Sequence, residues 1–512
     1  MLNFKALYHQ AETHKHLVMG GMFFLLCGFI LLQTIFSPVL AISLVVFIAA
    51  ALLTIFRPFW MLAVLAVYFP FESLVLKFVP NDAYVFVRYA SEGLIYLIAA
   101  VVLVGWLTRS KKMIFSPIDL PFFLFCLSLL ASVLINFVPP SIALLGVRQI
   151  IRFVLVFFLV IQLQPSKAYI KSLTTVLFGV VLFESVLGII QHFLGDRLDL
   201  FLLPSDVRSL GEITLTSGVA QFWEPGSRVF ATLGRYDRLG NFLYFFLLIA
   251  TGFLFVFKEK ISKTSVPWVF MLAIPALAMT YSRSSWFAFL LGFLFIGLWV
   301  MRDKRVALGF TLSILAVTSY LLLSGMVVRN ITEAPGQTFA ERFFETFSLS
   351  RWRGEYYGIG RVYWYVQTPL TVVASAPFFG VGPGQFGGGA VAALGNTHVY
   401  ERLGLPFGVF GTEGSIDNNW FSLWGETGTI GVGCYVWMMI GLFLFAMQTY
   451  RSQKDPFARA LALGFAACLL AVSFNAFTSP IFEIRTLAFY LWLYGGFVVV
   501  LGKGVGSSKV AE

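Results

Sequence analysis

Charge is scarce in this sequence. Of its 512 residues only 12% are Asp, Glu, Lys or Arg, about half of the roughly 25% found in an ordinary soluble domain. A soluble chain of this length would lack the polar surface that keeps it dispersed. A cytosolic globular enzyme, a disordered protein and a nucleic-acid binder are thereby excluded. Cysteine is nearly as rare. Cys27, Cys126, Cys434 and Cys468 all fall inside apolar stretches, which leaves no disulfide framework and no CxxC metal pair. No Gly-Lys-Ser/Thr phosphate loop, no GxSxG elbow and no His-rich zinc motif occurs. No cofactor and no metal site is expected.

What is present is apolar. Hydrophobic residues make up 59% of the chain, and the mean hydropathy is +0.85. Runs long enough to cross a bilayer recur from end to end. The expected fold is therefore all-α, a polytopic membrane bundle of about fourteen helices. The runs lie at 17–36, 39–56, 58–71, 91–107, 120–138, 142–163, 172–194, 239–257, 266–282, 284–301, 306–323, 426–447, 457–475 and 486–502. The first is long and lacks a following small-residue cleavage site, unlike a cleavable signal.

The basic residues orient this bundle. With the N-terminus (Lys5, Lys15) on the cytoplasmic side, every inside segment carries at least one of them: Arg57; Arg109, Lys111 and Lys112; Lys167 and Lys171; Lys258, Lys260 and Lys263; Arg302, Lys304 and Arg305; Arg451, Lys454 and Arg459; Lys503 and Lys509. Both termini are then expected to be cytoplasmic. The remaining seventeen basic residues are Lys77 and sixteen arginines. Arginine carries a planar fork suited to phosphate or carboxylate. Two readings stand: ion pairs with outer carboxylates such as Asp196, Glu212 and Glu341, or an outer site for an anionic ligand.

Two connecting segments are long, and both emerge on the outer side. They divide the chain into N-terminal transmembrane helices (1–195), an outer loop (196–238), further transmembrane helices (239–323), a large, partly helical outer loop (324–425) and C-terminal transmembrane helices (426–512). Long loops usually carry function. In the second, Arg361, Trp364 and Tyr365 share one face if helical, and Pro377 ends that helix. A tight Gly/Pro turn, 379–386, follows. The Asp-x-Asp pair that holds a metal in many sugar transferases is absent.

Three stretches together resemble the O-antigen ligase and polymerase superfamily of membrane glycosyltransferases. They are RVFATLGRYDRLGNFL from Arg228, TYSRSSWFAFLLG from Thr280, and the segment from Gly360 to Gly431. The last holds Arg361, the turn PFFGVGPGQF and the run DNNWFSLWGETGTIG from Asp417. The resemblance covers roughly 228–450. It implies transfer of a glycan from an undecaprenyl-diphosphate-linked donor to a hydroxyl of an acceptor glycan or lipid. The reaction would take place on the periplasmic side of the bacterial inner membrane. Membrane lipids surround such an enzyme, and the polymerase reading allows a chain-length regulator as a further partner.

The superfamily's ligases place His before the Asn of the third stretch, with Gly ten and thirteen residues after that Asn. Here Asn418, Gly428 and Gly431 fit that spacing, but Asp417 stands at the His position. Asp-Asn favours a polymerase. A ligase onto lipid A core, a protein O-oligosaccharyltransferase and a lipid-linked glycan flippase are the rivals. In the first stretch, Tyr236 and Asp237 replace the usual Pro-Asn. The resemblance implies that Arg283 and Arg361 face the diphosphate, with help from Arg148 or Arg228.

Simple chemistry supplies the same roles. Arginines can neutralise a departing diphosphate without a metal, and a positioned base can activate the acceptor hydroxyl. The base candidates are Asp417, His398 and Glu413. Asp417 could equally cap the following helix. Arg148 and Arg152, four apart in one span, could pair with Glu184. Trp223, Trp352, Trp364, Trp420 and Trp424 are available to stack on sugar rings.

Overall fold

The computed structural model describes residues 37–108, 112–205, 207–210, 213–216, 219, 223, 228–257, 264–332 and 337–503. The apolar run 17–36 and the basic residues of 258–263 lie outside them. Among the described residues twenty α-helices follow in chain order. They are α1 (Pro38–Phe56), α2 (Pro58–Phe78), α3 (Asn81–Leu107), α4 (Asp119–Ile135), α5 (Pro140–Ile151), α6 (Val154–Leu163), α7 (Lys167–Leu194) and α8 (Asp196–Leu202). Then come α9 (Tyr236–Phe257), α10 (Val266–Met279), α11 (Arg283–Leu294), α12 (Lys304–Arg329), α13 (Phe339–Phe344), α14 (Leu349–Tyr357), α15 (Arg361–Gln367), α16 (Gly389–Leu394) and α17 (His398–Leu403). The last three are α18 (Asn419–Ser452), α19 (Pro456–Asn475) and α20 (Arg485–Lys503).

Ten helices among the described residues are long and apolar enough to cross a membrane. The pair α5 and α6, bent by 55°, makes an eleventh if counted as one broken span rather than a re-entrant loop. Two shorter apolar helices, α4 and α10, occupy the expected runs 120–138 and 266–282. The chain is thus a multi-pass helical membrane protein. One small departure from the all-α expectation is an antiparallel hairpin, β1 (Val207–Leu210) with β2 (Ile213–Thr216).

Local sequence sets the helix starts. Side chains of Ser37, Ser166, Asp303 and Asp455 accept N–H groups in the first turns of α1, α7, α12 and α19. The buried centre is α9, α19 and α20. Small residues let backbones meet there. A Cβ on Gly252 would lie 2.2 Å from the Ala460 carbonyl, and one on Gly464 would lie 2.7 Å from Ile249 Cα. In lipid, where helices gain little from apolar burial, such close approach carries the packing. By contrast α12 has no buried residue in its apolar window and lies on the periphery.

Contacts sort the connections into two ends. One end joins Tyr169 to Phe59, Gln162 to Ile114, Lys167 to Asp455, Tyr450 to Met301, Gln453 to Leu501 and Lys503 to Phe115. This is the end holding Arg57, Lys167, Arg302, Arg451 and Lys503. The other joins Lys77 to Leu200, Arg283 to Glu345, Tyr365 to Phe477 and Phe482 to Asn419. Both long segments meet there. If the basic end is cytoplasmic, single cysteines replacing Lys304 or Lys454 in a background without native cysteines will resist an impermeant thiol reagent in intact cells. Exposed Tyr357→Cys and Arg402→Cys will react. Labelling of the first pair from outside would reverse the orientation.

Candidate active site

The segment that leads into α9 is anchored to α7. The N–H groups of Phe230 and Ala231 donate to Gln191 Oε1 at 2.9 and 2.8 Å. Thr232 donates its N–H and hydroxyl to the buried Glu184 carboxylate at 3.2 and 2.5 Å. Glu184 is therefore committed to this segment and is not the partner of Arg148 or Arg152. The anchor leaves a cationic run above the bundle. The Arg228 guanidinium stacks 4.5 Å from the Tyr236 ring centroid. Arg235 Nε lies 3.1 Å from Asp237 Oδ1, in the electrostatic field of Asp417 and Arg361.

The serines around Arg283 are packing residues. A Cβ on Gly240 would stand 2.6 Å from Ser285 Oγ, so α9 and α11 touch there. Ser285 donates to Asn241 Oδ1 at 3.1 Å, and Asn475 Nδ2 reaches the same oxygen at 2.8 Å. This contact fixes the start of α11 and places Arg283 at the mouth of the bundle, with Nη1 3.2 Å from Glu345 Oε1.

From Glu345 an ionic chain runs to Asp417. Glu345 is fully buried and also meets Arg342 Nη1 at 3.0 Å and Arg351 Nε at 3.4 Å. Arg351 Nη2 lies 2.5 Å from Glu355 Oε1. The other Glu355 oxygen accepts the Arg361 N–H at 2.8 Å, and Arg361 Nη2 pairs with Asp417 Oδ2 at 3.0 Å. Arg283 and Arg361 thus terminate one network, although 78 positions of chain separate their numbers. Burial works against the Arg361 charge, but Asp417 and Glu355 hold its pKa above the ordinary arginine value. Its Nε is buried without a hydrogen-bond partner.

Asp417 sits at φ +51, a left-handed conformation that Asp and Asn tolerate better than most residues. It does not cap α18. Asn418 does, accepting the Phe421 N–H at 3.1 Å. Asp417 is thereby left to face Arg361. Asn419 clamps the junction: its N–H donates to Ala476 O at 2.8 Å, and its Oδ1 accepts the Phe482 N–H at 2.6 Å.

The expected start of the last long span, at 426, moves back to Asn419, with a break at Gly428 (φ +69) inside the helix. The Gly/Pro turn fills that break. Thr429 and Ile430 donate to Pro377 O and Phe378 O. A Cβ on Gly428 would lie 2.3 Å from Phe378 O. The Glu426 carboxylate accepts the Gly384 N–H at 2.9 Å. Gly431 packs on Thr427 and Ser128. These glycines are seats for backbone, as a helix entry requires.

Arg148 belongs to a second cluster. Its Nε and Nη2 contact Glu92 Oε2 at 2.9 and 2.5 Å. Arg152 Nη1 meets Glu92 Oε1 at 3.0 Å. Arg485 joins Glu92 as well and grips Glu72 at 2.8 and 2.9 Å. Arg88 and Glu72 are among the charges acting on Arg238. Among the described residues Arg238 makes no hydrogen bond or ion pair, and the Arg88 guanidinium reaches only Tyr84 OH, at 3.3 Å.

The remaining candidates lie on other turns and helices. His398 is exposed at the start of α17, and no hydrogen bond or ion pair of its side chain reaches the Arg361–Asp417 pair among the described residues. Glu413 is half-buried in the turn between Thr412 and Ser415. Trp364 and Trp420 are buried, 0% and 8% exposed, so they cannot stack on a sugar. Trp352 is 46% exposed and can. Trp424 is partly exposed, and Trp223 donates to Asp199. Among the described residues no three His, Cys, Asp or Glu side chains cluster as a metal ligand set.

Sequence reasoning missed Arg235, Arg485, Glu72, Glu92, Glu345 and Glu355 as members of these networks. A signal existed for Glu92, an acid at the start of an apolar run, where a charge needs a partner. Nothing local pointed to Glu345.

Residues 268–436 match the family model described as O-antigen ligase. The match spans Arg283, Arg361, Asp417 and Gly431 and supports the O-antigen ligase and polymerase superfamily. No curated protein matches the chain.

Proposed function

We propose that this protein is a polymerase-type glycosyltransferase of the periplasmic face of a bacterial inner membrane. It would move a glycan from undecaprenyl diphosphate to a hydroxyl of an acceptor glycan. The observation that supports this most is the joining of Arg283 to Arg361 and Asp417 through Glu345, Arg351 and Glu355. Cations that can receive a diphosphate and a carboxylate that can receive a proton stand in one array.

In the proposed step the acceptor oxygen attacks the anomeric carbon, with inversion, as the bond to the diphosphate oxygen breaks. The acceptor proton passes to an Asp417 carboxylate oxygen. The leaving diphosphate gathers its negative charge against the arginine forks, where fixed donors are worth most. Arg361 has Nε to offer while Nη2 holds Asp417. Arg228 would serve as a supporting cation; Arg148, held through Nε and Nη2 by Glu92, would assist only on leaving that pair.

Purified protein supplied with a lipid-linked repeat unit is expected to build long products, and to do so equally in EDTA. A single transfer would indicate a ligase, and an unchanged substrate would remove the enzymatic reading. Loss of turnover on chelation, restored by magnesium or manganese, would overturn the arginine-only account of leaving-group stabilisation.

A further inference from the structure

At the basic end of the bundle, opposite Asp417, α11 does not finish as an α-helix. Its last residues, Phe295–Val300, form a π-turn. Arg302 follows at φ +52, and the Asp303 N–H returns to Gly297 O at 2.8 Å. Gly297 admits α12 closely; a Cβ there would meet Val306 Cγ1 at 2.7 Å. The wide turn and the sharp reversal leave a groove of about 820 Å³ between this segment and the second half of α18. That is within the roughly 300–1,000 Å³ range of small-molecule sites.

The walls are apolar and face outward. Phe295 and Phe443 meet with centroids 5.6 Å apart. Trp299 and Leu444 are 79% and 60% exposed. Tyr450 closes one end, its hydroxyl 3.9 Å from Met301 Sδ. Arg302 and Arg451 both line the groove, and both are exposed. Neither makes a hydrogen bond or ion pair among the described residues. The groove thus offers hydrocarbon walls in the membrane and two available guanidinium groups where the helices leave it.

We propose that this groove binds an anionic phospholipid, its headgroup phosphate between Arg302 and Arg451 and an acyl chain along Phe295, Trp299, Phe443 and Leu444. Both parts of the ligand are needed for the fit. A free phosphate would leave the aromatic wall uncovered, and a zwitterionic lipid would bring its own ammonium beside two cations at the interface. Basic pockets between membrane helices suit this lipid chemistry. The site is independent of the proposed transfer reaction, because it lies at the other end of the bundle and its test needs no turnover.

Full-length protein, delipidated in detergent, is titrated with phosphatidylglycerol, phosphatidylcholine or inorganic phosphate while thermal unfolding is followed. Phosphatidylglycerol is expected to raise the unfolding temperature saturably; the other two are expected to do so weakly. Arg302→Gln or Arg451→Gln should weaken the apparent affinity about fivefold, and the double variant about thirtyfold. Arg302→Lys with Arg451→Lys should retain most of it. Because both side chains are exposed, the variants should unfold like wild type before lipid is added. An equal shift with phosphatidylcholine, a shift with inorganic phosphate alone, or an undiminished response in the double Gln variant would overturn the proposal.

Discussion

Asp417→Asn is expected to lower turnover by at least about a hundredfold with little change in donor binding or in expression. Asparagine keeps the size of the side chain and tolerates φ +51. The helix cap is untouched, because Asn418 supplies it. What disappears is the proton acceptor, together with the charge that holds Arg361 at 3.0 Å. A second substitution separates the two losses. Arg361→Lys keeps a cation and forfeits the planar fork, so it should also cost much of the activity, as should Arg283→Lys. If Asp417 serves only to hold Arg361, the double variant will be no slower than Arg361→Lys alone. If Asp417 accepts the proton, its removal will slow the Lys variant further. Asp417→His should be the mildest change, since the ligases this chain resembles carry His at that position. Initial rates from a lipid-linked donor at saturating concentration are the measurement. Full activity in Asp417→Asn would move the role to His398 or Glu413.

Glu92→Gln is expected to destabilise the protein by about 3–5 kcal/mol. Glu92 is 3% exposed and is shared by Arg148, Arg152 and Arg485. An amide of the same shape leaves, among the described residues, Glu72 ion-paired to Arg485 and the Glu483 charge acting on Arg152 without an ion pair. Uncompensated charge inside a bundle is expensive, whereas the intact cluster is no guarantee of extra stability. The effect should appear as a large drop in unfolding temperature of the purified protein. Asp417→Asn, at a pair whose side chains are 36% and 32% exposed, should show almost none of it. Unfolding of Glu92→Gln at the wild-type temperature would mean that the arginines find water or other acceptors, and that the cluster is not structural.

These outcomes separate what was legible from what was not. Local pattern does not separate the base candidates at 398, 413 and 417, because loop residues carry no periodicity; the resemblance alone put Asp417 first. In the fold Asp417 meets Arg361, an arginine of the predicted set. The reading of Asp417 as a cap failed by one residue. Any of several polar side chains can begin a helix, and the choice falls on the one whose backbone is extended, here Asn418 (φ −147, ψ 104). The tryptophans divided for a related reason. Trp364 shares a helix face with Arg361 in sequence, yet in the fold it packs on Phe386 and Tyr400.

By itself the sequence determined the membrane class and the run of helices that the described residues contain. It also set apart Arg57, Lys167, Arg302, Arg451 and Lys503, which share one end of the bundle. These properties follow from local composition: an apolar stretch of sufficient length must become a helix in lipid, and charges must lie at its ends. The tertiary structure alone decided which carboxylate meets which arginine. Arg361 finds Asp417 across 56 positions and Arg485 finds Glu92 across 393. Glu184, the candidate partner of Arg148 and Arg152, is turned to Thr232 instead. Ion pairs depend on distance in space, and a bundle of similar apolar helices can place any end beside any other. Close contacts at small residues such as Gly240, Gly252 and Gly464 fix the neighbours, and the partners of the charges follow from that packing.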